Sequence, residues 1–125
     1  MGIDYGEKRI GIALSDDEGT MAFPRSVIQN DKRAIEIIIA LVKSEKVESI
    51  VVGESKNNNG EKNTIFDASK VFAEKLSDIT GIPFLFEPEL YTSAEAERLQ
   101  GKNDMLDASA AAIILKSYLD KKQNA

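Results

Sequence analysis

Two short apolar runs open the chain, Gly2 to Asp4 and Ile10 to Leu14, with the polar stretch Tyr5-Gly6-Glu7-Lys8-Arg9 between them. Runs of this length around a glycine-bearing polar link predict two strands joined by a tight hairpin, with Gly6 and Gly11 supplying unusual backbone angles. Asp16-Asp17-Glu18-Gly19-Thr20 reads as a turn, and Ala22 to Ile28 as a third strand carrying Pro24 at a bulge or edge. The period then changes. From a cap at Asp31 to about Lys46, the residues Ile35, Ile38, Ile39 and Val42 fall on one helical stripe, with Lys43 and Lys46 set to complement the helix dipole at its end. Ser49-Ile50-Val51-Val52-Gly53 is a β-branched run of the kind buried in a parallel sheet, and Glu54 to Gly60 is a loop by composition. A second helix is predicted from Thr64 to Ile79, with Ile65, Ala68, Phe72, Leu76 and Ile79 at spacings of three and four and Gly81 as its stop. Pro83 to Phe86 is another buried strand, Thr92-Ser93-Ala94-Glu95 a capping box opening a short helix, and Met105 to Leu119 a final helix.

The order of elements is strand-strand-strand-helix-strand-helix-strand-helix-helix. It predicts an α/β fold with a mixed five-stranded sheet, a three-stranded antiparallel meander plus two parallel strands, and helices on both faces. At 125 residues the chain supports one core, so residues 1–120 form a single domain and 121–125 a frayed tail. The longest apolar run, Ile37 to Val42, is far below the roughly 20 residues that cross a bilayer. The first residues lack the basic-then-apolar order of a signal peptide, so cytoplasmic residence without membrane association is the default expectation.

Composition narrows the chemistry. With no cysteine, disulfides, thiolate zinc sites and a Cys nucleophile are excluded; with no histidine, so are Ser-His-Asp triads. Any catalysis must rest on carboxylates, hydroxyls, lysines or a bound metal. The 16 Lys and Arg against 21 Asp and Glu leave a net charge of −5, which argues against a partner held by bulk charge, such as nucleic acid or an anionic membrane.

Three acids stand where a solvated surface acid has little reason to be. Asp4 ends a strand, Glu89 follows one, and Asp107 lies in the first turn of the last helix. Ala110, Ala111, Ile114 and Tyr118 fall at +3, +4, +7 and +11 from Asp107, so it extends the buried stripe. Ligands in open α/β sheets gather beyond the carboxyl ends of strands, and a docked helix could bring Asp107 to Asp4 and Glu89. Three clustered carboxylates repel one another unless a divalent cation joins them, and hard ions such as Mg²⁺ suit carboxylate oxygens. Two such ions about 4 Å apart would activate a water and stabilise a leaving oxygen in phosphoryl displacement. Each residue also has an ordinary alternative: Asp4 a hairpin turn, Glu89 a surface acid, Asp107 a complement to the helix dipole. Spacing alone does not choose between them.

Taken together, Gly2-Ile3-Asp4-Tyr5-Gly6 with Lys8-Arg9-Ile10-Gly11, then Ile50-Val51-Val52-Gly53, the loop Asn57 to Gly60, Phe72-Ala73, Thr92, Glu95-Ala96 and Asp107-Ala108-Ser109-Ala110-Ala111 through Tyr118 resemble the YqgF family. These are ribonuclease H-like proteins described as Holliday-junction resolvases or pre-16S rRNA nucleases, and the resemblance covers almost the whole chain. It implies a ribonuclease H-like sheet and Mg²⁺- or Mn²⁺-dependent hydrolysis of an rRNA precursor or branched DNA. The family's first acid falls on Asp4 and its last on Asp107. Its middle motif, Asp-Glu-Arg-Leu-Ser/Thr-Thr six residues ahead of a Glu-Ala pair, puts the middle acid at Glu89. Lys8 and Arg9 on the hairpin, and Lys56 with Asn57 on the middle loop, are then the nucleic-acid contacts, although an ordinary solvated turn is the alternative.

Departures from the pattern thin those contacts and leave the acids. Pro88 stands for the motif's Asp and Leu90 for its Arg, which could have clamped a phosphate bidentately. Gly53-Glu54-Ser55 replaces a Gly-Leu-Pro-like entry to the loop, and Gln100-Gly101-Lys102-Asn103 is short and weakly basic. The departures motivate an alternative, a ribonuclease H-like binding module without turnover. Asp4-Tyr5-Gly6 also resembles the phosphate hairpin of actin-like ATPases, but those close two such domains around a nucleotide. The acidic balance then implies weak, salt-sensitive, metal-dependent engagement, with help from a partner such as one in ribosome assembly. A symmetric two-stranded substrate would favour a dimer.

Overall fold

The apolar runs form five strands: β1 (Gly2–Tyr5), β2 (Arg9–Ser15), β3 (Ala22–Gln29), β4 (Ile50–Glu54) and β5 (Phe84–Pro88). The computed structural model describes residues 1–54, 64–88 and 106–123, with the side chains of Thr64, Leu106, Asp107 and Gln123 left aside. The strands make one sheet in the order β3-β2-β1-β4-β5, antiparallel through β1, β2 and β3 and parallel through β1, β4 and β5. This is the meander plus two parallel strands that the pattern predicts. Pro24 sits opposite Ala13 where the β2–β3 register shifts, as suits a residue with no N–H for the ladder.

The hairpin between β1 and β2 is present, but its glycines act differently from expectation. Among the described residues positive φ occurs at Gly19, Gly81 and Lys46, not at Gly6 or Gly11. Gly6 is needed for space: a Cβ there would stand 2.6 Å from the Arg9 carbonyl oxygen, which accepts the Gly6 N–H at 2.9 Å.

Helix α1 (Ala34–Ser44) begins later than a cap at Asp31 predicts. The Asp31 carboxylate accepts the Arg33 N–H at 2.9 Å and its carbonyl the Ala34 N–H at 3.1 Å, which closes a turn before the helix. Its end is a Schellman turn: Lys46 takes φ 54°, its N–H meets the Lys43 carbonyl, and the Val47 N–H meets the Val42 carbonyl at 3.0 Å. Helix α2 (Thr64–Thr80) stops at Gly81, at φ 75°. The last described helix, α3 (Leu106–Gln123), takes in Lys121 to Gln123, so these residues are helical and not a frayed tail. The predicted short helix at Thr92 lies outside the described residues.

Strand alternation splits the core in two. On one face Ile3, Ile10, Ile12, Ile50 and Val52 pack against Ala34, Ile38 and Val42 of α1 and Ala73 and Leu76 of α2. On the other, Ala13 and Val51 meet Ala111, Ile114, Leu115 and Leu119 of α3. No described helix is long and apolar enough to cross a membrane.

Candidate functional site

Asp4 is the third residue of the central strand, paired with Gly11 and half-buried. Which face it uses follows from Gly2. A Cβ at Gly2 would lie 2.7 Å from the Ala111 carbonyl oxygen and 2.8 Å from the Leu115 Cβ, so α3 crosses β1 in contact there. Side chains two residues apart share a face, and Asp4 therefore faces α3 as well. The helix runs against the strand direction, because Leu119 and Lys122 lie with Met1 around one cleft at the start of β1. Asp107 is one turn before Ala111, about 6 Å along the axis, and Asp4 is about 7 Å beyond Gly2 in the same direction. The backbone of Asp107 and the residue Asp4 thus come to the same end of the sheet, at the carboxyl end of β1, where α/β sheets bind ligands.

The other predicted site residues fall as follows. Glu89, Lys56 and Asn57 lie outside the described residues. Lys8 is exposed in the hairpin and Arg9 exposed at the start of β2, both at the Asp4 end. Among the described residues no group of three Asp, Glu, His or Cys side chains could hold one ion. The donor set offered by the sequence, carboxylates without thiol or imidazole, fits a hard divalent cation and not a soft one.

One acid escaped the sequence reading. Glu87 is 4% exposed, on the α3 face of β5. It accepts a hydrogen bond from the Ser117 hydroxyl at 3.1 Å and a short one from the Lys121 ammonium. A buried carboxylate without such partners would be strongly unfavourable. The signal was available: Glu87 shares the Leu85 face, and Ser117 and Lys121 are four apart on one helix face.

The opposite end of the sheet is acidic. A cleft of about 450 Å³ there is bordered by Asp16, Asp17, Glu18, Glu45 and Glu48, with Lys46 and Lys122. The backbone N–H and hydroxyl of Thr20 hold the Asp16 carboxyl below its ordinary value. The Met1 ammonium, buried and bonded to the Ser49 carbonyl at 3.0 Å, is lowered by desolvation from 8.0 to about 6.

Comparison with known proteins gives the family and the fold. A family model described as RuvX, Holliday junction resolvase, matches residues 1–121. A protein of Caldanaerobacter subterraneus subsp. tengcongensis named "Putative pre-16S rRNA nuclease" is 38% identical over 138 residues, covering 99% of this chain and 97% of its own. One of the same name from Streptococcus uberis is 34% identical, covering 97% and 96%. In fold, the chain is similar to T. thermophilus RuvC in complex with a Holliday junction substrate, with a TM-score of 0.64 at 14% identity over 98% of this chain and 94% of that one. It is likewise similar to the Fowlpox virus resolvase in its Holliday junction complex, with a TM-score of 0.60 at 9% identity over 97% and 96%. The fold shared with these solved structures is the ribonuclease H-like one that the family resemblance implied.

Proposed function

Because the chain belongs to the RuvX family of Holliday junction resolvases, we propose that this nuclease is a divalent-metal-dependent endonuclease cutting phosphodiester bonds in structured nucleic acid, either an rRNA precursor or a branched DNA. The observation that carries the reading is the meeting of Asp4 with the start of α3 at the carboxyl end of β1. In this proposal Asp4, Glu89 and Asp107 hold Mg²⁺ or Mn²⁺, while Lys8, Arg9, Lys56 and Asn57 hold the phosphate backbone. Bound there, the metal would supply an activated water and offset charge on the leaving oxygen, a route that needs no histidine. The half-buried setting of Asp4 limits water around its carboxylate and so strengthens its hold on a cation. The relatives' names favour rRNA processing, and the junctions bound to the fold neighbours favour branched DNA.

The test is cleavage of a 16S rRNA precursor and of a four-way DNA junction, with Mg²⁺, with Mn²⁺ and with chelator. Wild type is expected to cut at least one substrate only when the cation is present. Asp4→Asn is expected to lose more than the roughly 10–100-fold that disturbing a ligand's outer partner costs, with an unchanged circular dichroism spectrum. No cation-dependent cleavage of either substrate by wild type would sink the reading. The alternative, a binding module without turnover, is motivated by Leu90 and the short segment 100–106. It requires in addition that calorimetry detect no Mg²⁺ uptake.

A further inference from the structure

We propose that Lys32 and Arg33, between β3 and α1, join Lys8 and Arg9 in a cationic strip that binds the phosphate backbone beside the cleaved bond. The proposal rests on the nuclease reading and extends its contact surface to residues that neither the motifs nor the family resemblance singles out.

The strip is assembled by the backbone. Gln29 pairs with Arg9 at the end of the meander, and the next residue locks the connection onto the hairpin. The Asn30 N–H donates to the Lys8 carbonyl at 2.9 Å, and its side-chain amide donates to the Gly6 carbonyl at 2.8 Å. Lys32 and Arg33 follow immediately and are exposed. Among the described residues Lys8, Lys32 and Arg33 have no carboxylate partner. Arg33 makes no capping bond with its side chain, so α1 does not need it. Of the described acids beside the strip, the Asp31 carboxylate is turned to the Arg33 N–H, while Glu7 on the hairpin and Glu36 in the first turn of α1 are exposed countercharges.

The remainder of the charge distribution gives the strip its meaning. The acids Asp16, Asp17, Glu18, Glu45 and Glu48 gather at the far end of the sheet, around the cleft. A polyanion that approaches the Asp4 end is met there by the exposed cations Lys8, Arg9, Lys32 and Arg33. Strand β3 is two spacings, about 10 Å, from β1. Successive phosphates on one strand are farther apart than their axial rise of about 3.4 Å because they also wind around the axis, so the strip is suited to the phosphates next to the one at Asp4.

The experiment measures binding of a labelled four-way DNA junction and a labelled RNA stem–loop by anisotropy, in Mg²⁺ between about 50 and 200 mM NaCl. Asp4→Asn serves as the parent so that the strands stay intact. Lys32→Ala/Arg33→Ala on that parent is expected to weaken binding about 10-fold at 100 mM salt on at least one substrate. The slope of log affinity against log salt should become shallower by roughly 2, while Lys122→Ala at the far end changes neither. The substrate showing the loss identifies whether RNA or DNA supplies the phosphates. Equal affinity and slope for the parent and the double variant, with wild type competent to cleave, overturn the strip and leave the nuclease reading standing. If wild type cleaves nothing, both fall.

Discussion

Gly2 sets how closely α3 approaches the central strand. Any larger residue there meets the Ala111 carbonyl and the Leu115 Cβ, neither of them the loose end of a flexible side chain, so the helix itself must retreat. Gly2→Ala is therefore expected to cost about 1–3 kcal/mol in urea denaturation, as overpacking does. It should cost activity beyond that, because the start of α3 moves relative to Asp4 and catalytic groups tolerate little displacement. Cleavage assayed where the variant remains folded separates the two effects, and unchanged stability and rate would count against the close crossing. Asp4 could be nominated from sequence because an acid between Ile3 and Tyr5-Gly6 interrupts an apolar run. The need for glycine at position 2 could not, since it arises from a helix more than 100 residues away.

Between elements, β5 and α3 are fastened by Glu87, Ser117 and Lys121. The two ends of the ion pair are unequal, with the Glu87 side chain 5% exposed and that of Lys121 54% exposed. Removing the lysine leaves a buried carboxylate with the Ser117 hydroxyl alone; removing the charge of the acid leaves an ammonium free to hydrate. Lys121→Ala is thus expected to cost about 1–3 kcal/mol, and Glu87→Gln, which keeps an acceptor for Ser117, less than about 1. Chemical denaturation of both variants checks the order, and the reverse order would mean that the carboxylate is not held by Lys121. Element types were legible because period 2 and period 3.6 are visible without a partner. Element ends were not. β5 continues to Pro88 because β4 offers Glu54 as its pair, α1 waits for the Asp31 turn, and α3 runs on through residues that look polar in isolation but reach a buried acid. Of the candidate site, two acids and the hairpin cations could be read and located, while the basic connection at Lys32 looked like an ordinary helix start.

At the scale of the molecule, one described group gives stability a pH dependence near neutrality. With no histidine or cysteine, no other side chain has its ordinary pKa between 6 and 8. The Met1 ammonium, at 8.0 when the chain is unfolded and about 6 when folded, binds more protons in the unfolded state across that window. Stability should therefore rise with pH from about 6 to 8, by about 2–3 kcal/mol in all, and level off on either side. Denaturation midpoints measured from pH 5.5 to 8.5 would show the slope, and N-terminal acetylation should abolish it. A flat profile, or a slope that survives acetylation, would contradict the burial of this group.

The two-sided core also imposes an order in time. The face carrying Ile3, Ile10, Ile12, Ile50 and Val52 can be covered once α1 and α2 have been made. The face carrying Ala13 and Val51 must wait for α3, which is synthesised after every strand it covers. A growing chain thus completes one half of its interior early and keeps the other half wet until Ala111, Ile114 and Leu115 arrive. The backbone of Asp107 comes with that last helix, so the step that seals the protein is also the step that completes the Asp4 end of the sheet.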